Sequence, residues 1–125
     1  MKAIDIRQLD ENDEEIADAL ISLGMNRNVA RTLAYLQNVD EVTSVKLERG
    51  AGLHQPEVSI VMKQLKERNW ITEREEKKTL GKGRPNKIYS LKIGFDKIVA
   101  QLEKQQKKAV DEAQEKIERL KELRK

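Results

Sequence analysis

Between Val45 and Ile71 the chain reads VKLERGAGLHQPEVSIVMKQLKERNWI, and no other stretch restricts its fold as much. A short segment with Val45 and Leu47 as its larger apolar residues is cut by Gly50-Ala51-Gly52. A second helix then opens at Gln55-Pro56. Proline suits the start of a helix, where its missing N–H leaves no bond unmade. The glycines let the chain reverse within a few residues. Val58, Val61, Met62 and Leu65 recur at helical spacing and form one buried stripe, and Asn69 closes the helix. Thr43 or Ser44 caps the first helix, expected over about 44–50, and both are candidate DNA contacts at its start. Two short helices joined by so tight a turn form a helix-turn-helix.

The face opposite that stripe carries Gln55, Glu57, Ser59, Ile60, Lys63 and Gln64. Small and polar residues on the first outward turns let a helix enter the major groove of DNA. Gln55 can bond an adenine edge in two places, and Ser59 can reach a base or a phosphate. Ile60 suits a thymine methyl, and Lys63 a phosphate or guanine. Each has a plainer alternative. His54 serves as a phosphate or base contact or as a turn residue, and Ile60 belongs to the groove, to a core or to a dimer contact. Glu57 is read as a complement to the helix dipole.

After Trp70 the period changes. Trp70-Ile71-Thr72 and Lys87–Leu91 are rich in β-branched and aromatic residues, and LGKGRPN between them is turn chemistry. A two-stranded hairpin with a long basic tip is expected. Residues 71–92 hold seven bases against three acids, whereas residues 1–25 hold two bases against seven acids. A basic segment in a chain of net charge +3 points to a local polyanion contact. Lys77, Lys78, Lys82, Arg84 and Lys87 are the candidate contacts. Gly81-Lys82-Gly83 lacks the spacing of a nucleotide-binding loop.

Upstream, Ile16, Leu20 and Leu23 predict an amphipathic helix over 11–23 that ends at Gly24. Asn26 is a good N-cap for a helix over 27–37. The segment 38–42 reads as a turn or a very short strand. Downstream, Phe95 to Lys125 contains neither Gly nor Pro and consists mostly of good helix formers. Phe95, Ile98, Val99, Leu102, Ala109, Val110, Ala113, Ile117, Leu120 and Leu123 form an apolar stripe, with a shift in spacing midway like a stutter. A helix of about thirty residues cannot bury such a stripe on a small domain. Pairing of two copies as a coiled coil is expected, so the chain is read as a homodimer.

Composition narrows the function. There is no cysteine, and a single histidine, His54. That excludes disulfides and thiolate metal sites and argues against metal or nucleophilic catalysis. No cofactor is called for, and the chain is not read as an enzyme. No run approaches the roughly 18 apolar residues of a membrane span, and the N-terminus lacks a secretory pattern. A cytoplasmic protein is expected.

The string GLHQPEVSIVMKQLKERNWI resembles the Gly-Leu-x-Gln-Pro-x-Val-Ser signature of small prokaryotic winged-helix regulators of the ArsR-like and MarR-like families. With LISLGMNRNVARTLAYLQ and GKGRPNKIY added, residues 14–92 are similar to the DNA-binding domain of archaeal TrmB-like regulators. The resemblance implies a mainly α fold with a small β-hairpin wing, a winged helix-turn-helix domain taken over 1–92, and binding of double-stranded DNA. The dimerisation helix over 93–125 follows from its apolar stripe, and two recognition helices in such a dimer are expected to read a palindromic operator. Gly-Arg-Pro is similar to the core of minor-groove AT-hooks, where arginine meets an enhanced negative potential. Two departures bear on base reading: Glu48 stands where the family usually has alanine, and Ile60 where it usually has a base. A chain of 125 residues leaves no room for a sugar-binding domain, so sugar sensing is not expected. The alternative readings are a winged-helix adaptor of the basal transcription machinery and a non-specific architectural DNA binder.

Overall fold

The computed structural model describes residues 9–76 and 86–124. Five helices and three strands follow in the order α1 (Glu11–Ser22), α2 (Arg27–Leu36), β1 (Val42–Thr43), α3 (Ser44–Ala51), α4 (Gln55–Glu67), β2 (Ile71–Glu76), β3 (Asn86–Leu91) and α5 (Phe95–Leu123). The chain divides after Gly94 into two units.

In the first unit, local sequence sets each helix end. Asp10 caps α1 by accepting from the Asp13 N–H at 2.8 Å, and Asp13 returns the bond by accepting from the Asp10 N–H at 3.1 Å. Gly24, with φ of 101°, closes the helix by donating to the Ile21 carbonyl. The Asn26 side chain accepts from the N–H groups of Asn28 and Val29 and starts α2. Thr43, not Ser44, is the cap of α3, accepting from the Lys46 N–H at 3.2 Å. Asn69 takes a left-handed φ of 63° after α4, the role expected for a closing asparagine.

The core lies among α2, α3, α4 and the sheet. Leu33, Leu36, Leu47, Met62, Leu65 and Trp70 are its largest fully buried side chains. Asp13 and Thr32 are buried polar groups, and both are satisfied. The Thr32 hydroxyl donates to the Asn28 carbonyl at 2.8 Å. Asp13 accepts from the side-chain amides of Asn38 and Gln37, which ties α1 to the residues just past α2.

The sheet has three antiparallel strands in the order β1-β3-β2. The expected hairpin is β2 and β3, registered Ile71↔Leu91 through Glu76↔Asn86. The two-residue β1 adds to the far edge of β3 as Val42↔Tyr89 and Thr43↔Ile88. Two residues cannot show an alternating pattern, so only the open edge of β3 makes them a strand. The hairpin tip, with Lys77, Lys78, Lys82 and Arg84, lies outside the described residues.

The second unit is α5. Asp96 in its first turn and Lys121 in its last match the helix dipole. Val99, Val110, Ile117, Leu120 and Leu123 are exposed. Phe95 and Leu102 are half-buried. Ile98, expected on the dimer face, is instead buried. No helix among the described residues is long and apolar enough to cross a membrane.

Candidate nucleic-acid interface

At 100° per residue, positions 55, 56, 59, 60 and 63 fall within an arc of roughly 140° on α4, and 58, 61, 62 and 65 fall within a separate arc of roughly 100° outside it. Burial follows that division. Val58, Val61, Met62 and Leu65 are buried, whereas Gln55, Pro56, Ser59, Ile60 and Lys63 are exposed, with His54 exposed just before them. Ile60 is 59% exposed, so it belongs to no core of this chain.

The start of α4 is rigidly built. Glu57 Oε1 accepts from the His54 N–H at 2.8 Å. That backbone bond, helped by the Asn28 side chain and by His54 and Arg27, holds the Glu57 carboxyl below the usual glutamate range. The group is therefore ionised at neutral pH. Its support of the helix start is lost only as pH falls through that lowered value. Glu57 is thus engaged in the helix terminus, as its place near the dipole implied.

The turn before α4 is equally determined. Gly52 has φ of 72°, and the Leu53 N–H closes on the Glu48 carbonyl at 2.8 Å. Arg31 braces the turn from α2. Its Nε donates to the Ala51 carbonyl at 3.0 Å, and its guanidinium pairs with Glu14 of α1 at 2.8 Å. The carbonyl at the end of α3 is thereby satisfied. Sequence reasoning missed this brace because its partners are 17 and 20 residues away. Thr43, expected as a DNA contact, spends its oxygen on the α3 cap, and Ser44 beside it is half-buried.

The wing leaves from the end of α4. Arg68 stacks its guanidinium 4.7 Å from the centre of the Trp70 ring, and the Lys92 N–H donates to the Trp70 carbonyl at 2.7 Å. Thr72 and Ser90 share a hydrogen bond across the strands at 2.8 Å. Arg74 meets both carboxylate oxygens of Glu41 at 3.0 Å. Lys87, the one expected wing contact among the described residues, is half-exposed, with its Nζ 3.8 Å from Glu73. Among the described residues no group of three metal-ligating side chains comes together.

A helix-turn-helix braced from below, followed at once by a β-ribbon, is a winged helix. Residues 23–79 match the MarR family. Over that stretch the chain is similar to a MarR-family winged-helix domain. Solved structures of the same fold extend the likeness. TrmBL2, an archaeal chromatin protein, superposes with a TM-score of 0.67 at 15% identity, over 88% of this chain and 39% of that one. The chain thus spans well under half the length of that protein. A possible transcriptional regulator from Methanosarcina mazei Go1 gives 0.62 at 17% identity, over 92% and 88% of the two chains. A mutant form of MepR from a multidrug-resistant S. aureus clinical isolate gives 0.52 at 18% identity, over 91% and 77%. At such identities these likenesses establish the fold alone. No curated protein matches the chain by sequence. The MarR match reaches from Leu23 through α2, the helix-turn-helix and β2, so the bond from Arg31 to the Ala51 carbonyl and the outward face of α4 lie inside it, while Glu14 of α1 lies outside.

Proposed function

We propose that this chain is a sequence-specific regulator of transcription that binds double-stranded DNA as a homodimer on a palindromic operator. The observation that carries the reading is the outward face of α4, where Gln55, Ser59, Ile60 and Lys63 stand in water beside a tightly anchored opposite face. In the major groove Gln55 and Ser59 meet base edges, Ile60 meets a thymine methyl and Lys63 meets guanine or phosphate. His54 and Pro56 lie at the entering end of the helix. The wing lysines and arginine (Lys77, Lys78, Lys82, Arg84 and Lys87) track the backbone or the adjacent minor groove.

The exposed stripe of α5 supports self-association. Val99, Val110, Ile117, Leu120 and Leu123, with Ala109 and Ala113 between them, remain in water along a 29-residue helix. A second copy of the helix covers such a stripe. Two recognition helices about one DNA turn apart then read two half-sites.

Selection from a random duplex library, followed by mobility shift at two salt concentrations, tests the reading. Enrichment of a palindrome is the expected result. Salt-sensitive binding with no enriched motif would reassign the protein as an architectural DNA binder. Absence of binding at low salt would favour the protein-protein adaptor.

A further inference from the structure

Glu73 of β2 sits where the recognition helix meets the wing. One of its carboxylate oxygens, Oε1, lies 3.3 Å from Lys66 Nζ in the last turn of α4, and the other, Oε2, lies 3.8 Å from Lys87 Nζ on β3. The carboxylate side chain is only 20% exposed, while the two lysines are 48% and 49% exposed. Each lysine thus rests on a recessed acid while its ammonium still reaches solvent. Cross-strand register sets Glu73 opposite Tyr89. Burial, and then the Glu73 charge, push the Tyr89 hydroxyl up to about 12. The negative charge of Glu73 is therefore felt within its own face of the sheet.

A carboxylate held between two ammonium groups occupies the place a backbone phosphate takes between two lysines. We propose that Glu73 is an internal counter-ion that competes with DNA phosphates for Lys66 and Lys87 and so limits the affinity of the wing side of the interface. This rests on the DNA-binding reading above. A phosphate approaching from solvent must displace the carboxylate before it gains either lysine. Half-exposed ion pairs are weak enough to exchange in this way. The effect is independent of base sequence, because phosphate contacts position a protein and do not read sequence. Glu73 thereby lowers binding to random DNA and leaves discrimination to the outward face of α4.

The test is Glu73→Gln, which keeps the shape and removes the charge, measured by fluorescence anisotropy on a random-sequence duplex across a salt series. Circular dichroism confirms that the variant is folded. Expected are binding tighter by roughly 3- to 10-fold near 0.1 M salt and a salt slope steeper by about one. In a Lys66→Met/Lys87→Met background the same substitution is expected to change nothing. Unchanged affinity and slope in Glu73→Gln, with wild type binding normally, overturn the inference alone. Weaker binding overturns it too, because Glu73 would then be a tie that positions the wing. An effect that persists without the two lysines overturns it in favour of net charge. A wild-type protein that binds no duplex at low salt overturns the DNA reading and the inference with it.

Discussion

Replacing Asp13 with alanine tests the account of how the helix-turn-helix is supported. Asp13 is fully buried, yet its carboxylate meets the Asp10 N–H at 3.1 Å and the side-chain amides of Asn38 and Gln37, the latter at 3.4 Å. Alanine removes these three acceptor contacts. The Asp10 N–H lies near solvent and can turn to water, and the Gln37 bond is long. The main loss is therefore the bond from Asn38, and removing one partner of such a buried pair costs about 1–3 kcal/mol. The returned half of the capping box adds about 0.5–1 kcal/mol. The sum is about 1.5–4 kcal/mol, against the roughly 5–10 kcal/mol typical of a domain this size. A loss of that size lowers Tm by roughly 10–20 °C. Thermal and urea denaturation followed by circular dichroism measure it, with wild type and Asp13→Asn alongside. The asparagine variant keeps one oxygen for Asn38 but turns an NH2 toward the Asp10 N–H or away from it, so an intermediate loss is expected. A change below about 0.5 kcal/mol in Asp13→Ala, the range of ordinary surface substitutions, would refute the reasoning. It would mean that α1 is held by its apolar face and the Arg31–Glu14 pair without help from Asp13.

Four further outcomes are expected. Gln55→Ala with Ser59→Ala should flatten base preference by about 1–3 kcal/mol per affected base pair while leaving Tm in place, and an unchanged footprint would remove α4 as the reading helix. Lys82→Ala with Arg84→Ala should weaken binding and reduce the salt slope by about one to two; unaltered affinity in the same titration would make that segment a turn and nothing more. Gly52→Ala should cost about 1 kcal/mol in urea unfolding, because φ is 72° and the nearest atom to an added Cβ, Arg31 Nη2, is at a comfortable 3.7 Å. A much larger loss would reveal a clash that this geometry does not contain. Val110→Glu with Ile117→Glu should give a folded monomer in sedimentation velocity, and a surviving dimer would place self-association away from α5.

The sequence by itself determined the parts of this protein that rest on neighbours close along the chain. Asn26, Pro56, Gly24 and Asn69 mark helix ends through bonds or dihedral limits that act within a few residues, and each stands where its chemistry requires. The stripe of Val58, Val61, Met62 and Leu65 specified both the buried face of α4 and, by subtraction, the face turned to water. Tertiary structure decided what depends on partners far along the chain. Val42 and Thr43 are a strand only because β3, far downstream, offers an open edge at Ile88 and Tyr89. Ile98 looked like every other member of the α5 stripe, and burial alone separated it from Val99. Asp13, one of seven acids in residues 1–25, is a buried anchor because the chain returns Gln37 and Asn38 to it. Arg31 and Glu73 carry no local mark at all. Their roles come from oxygens and ammonium groups that only the folded chain brings within about 3–4 Å, where charge and hydrogen bonding act strongly and beyond which water screens them.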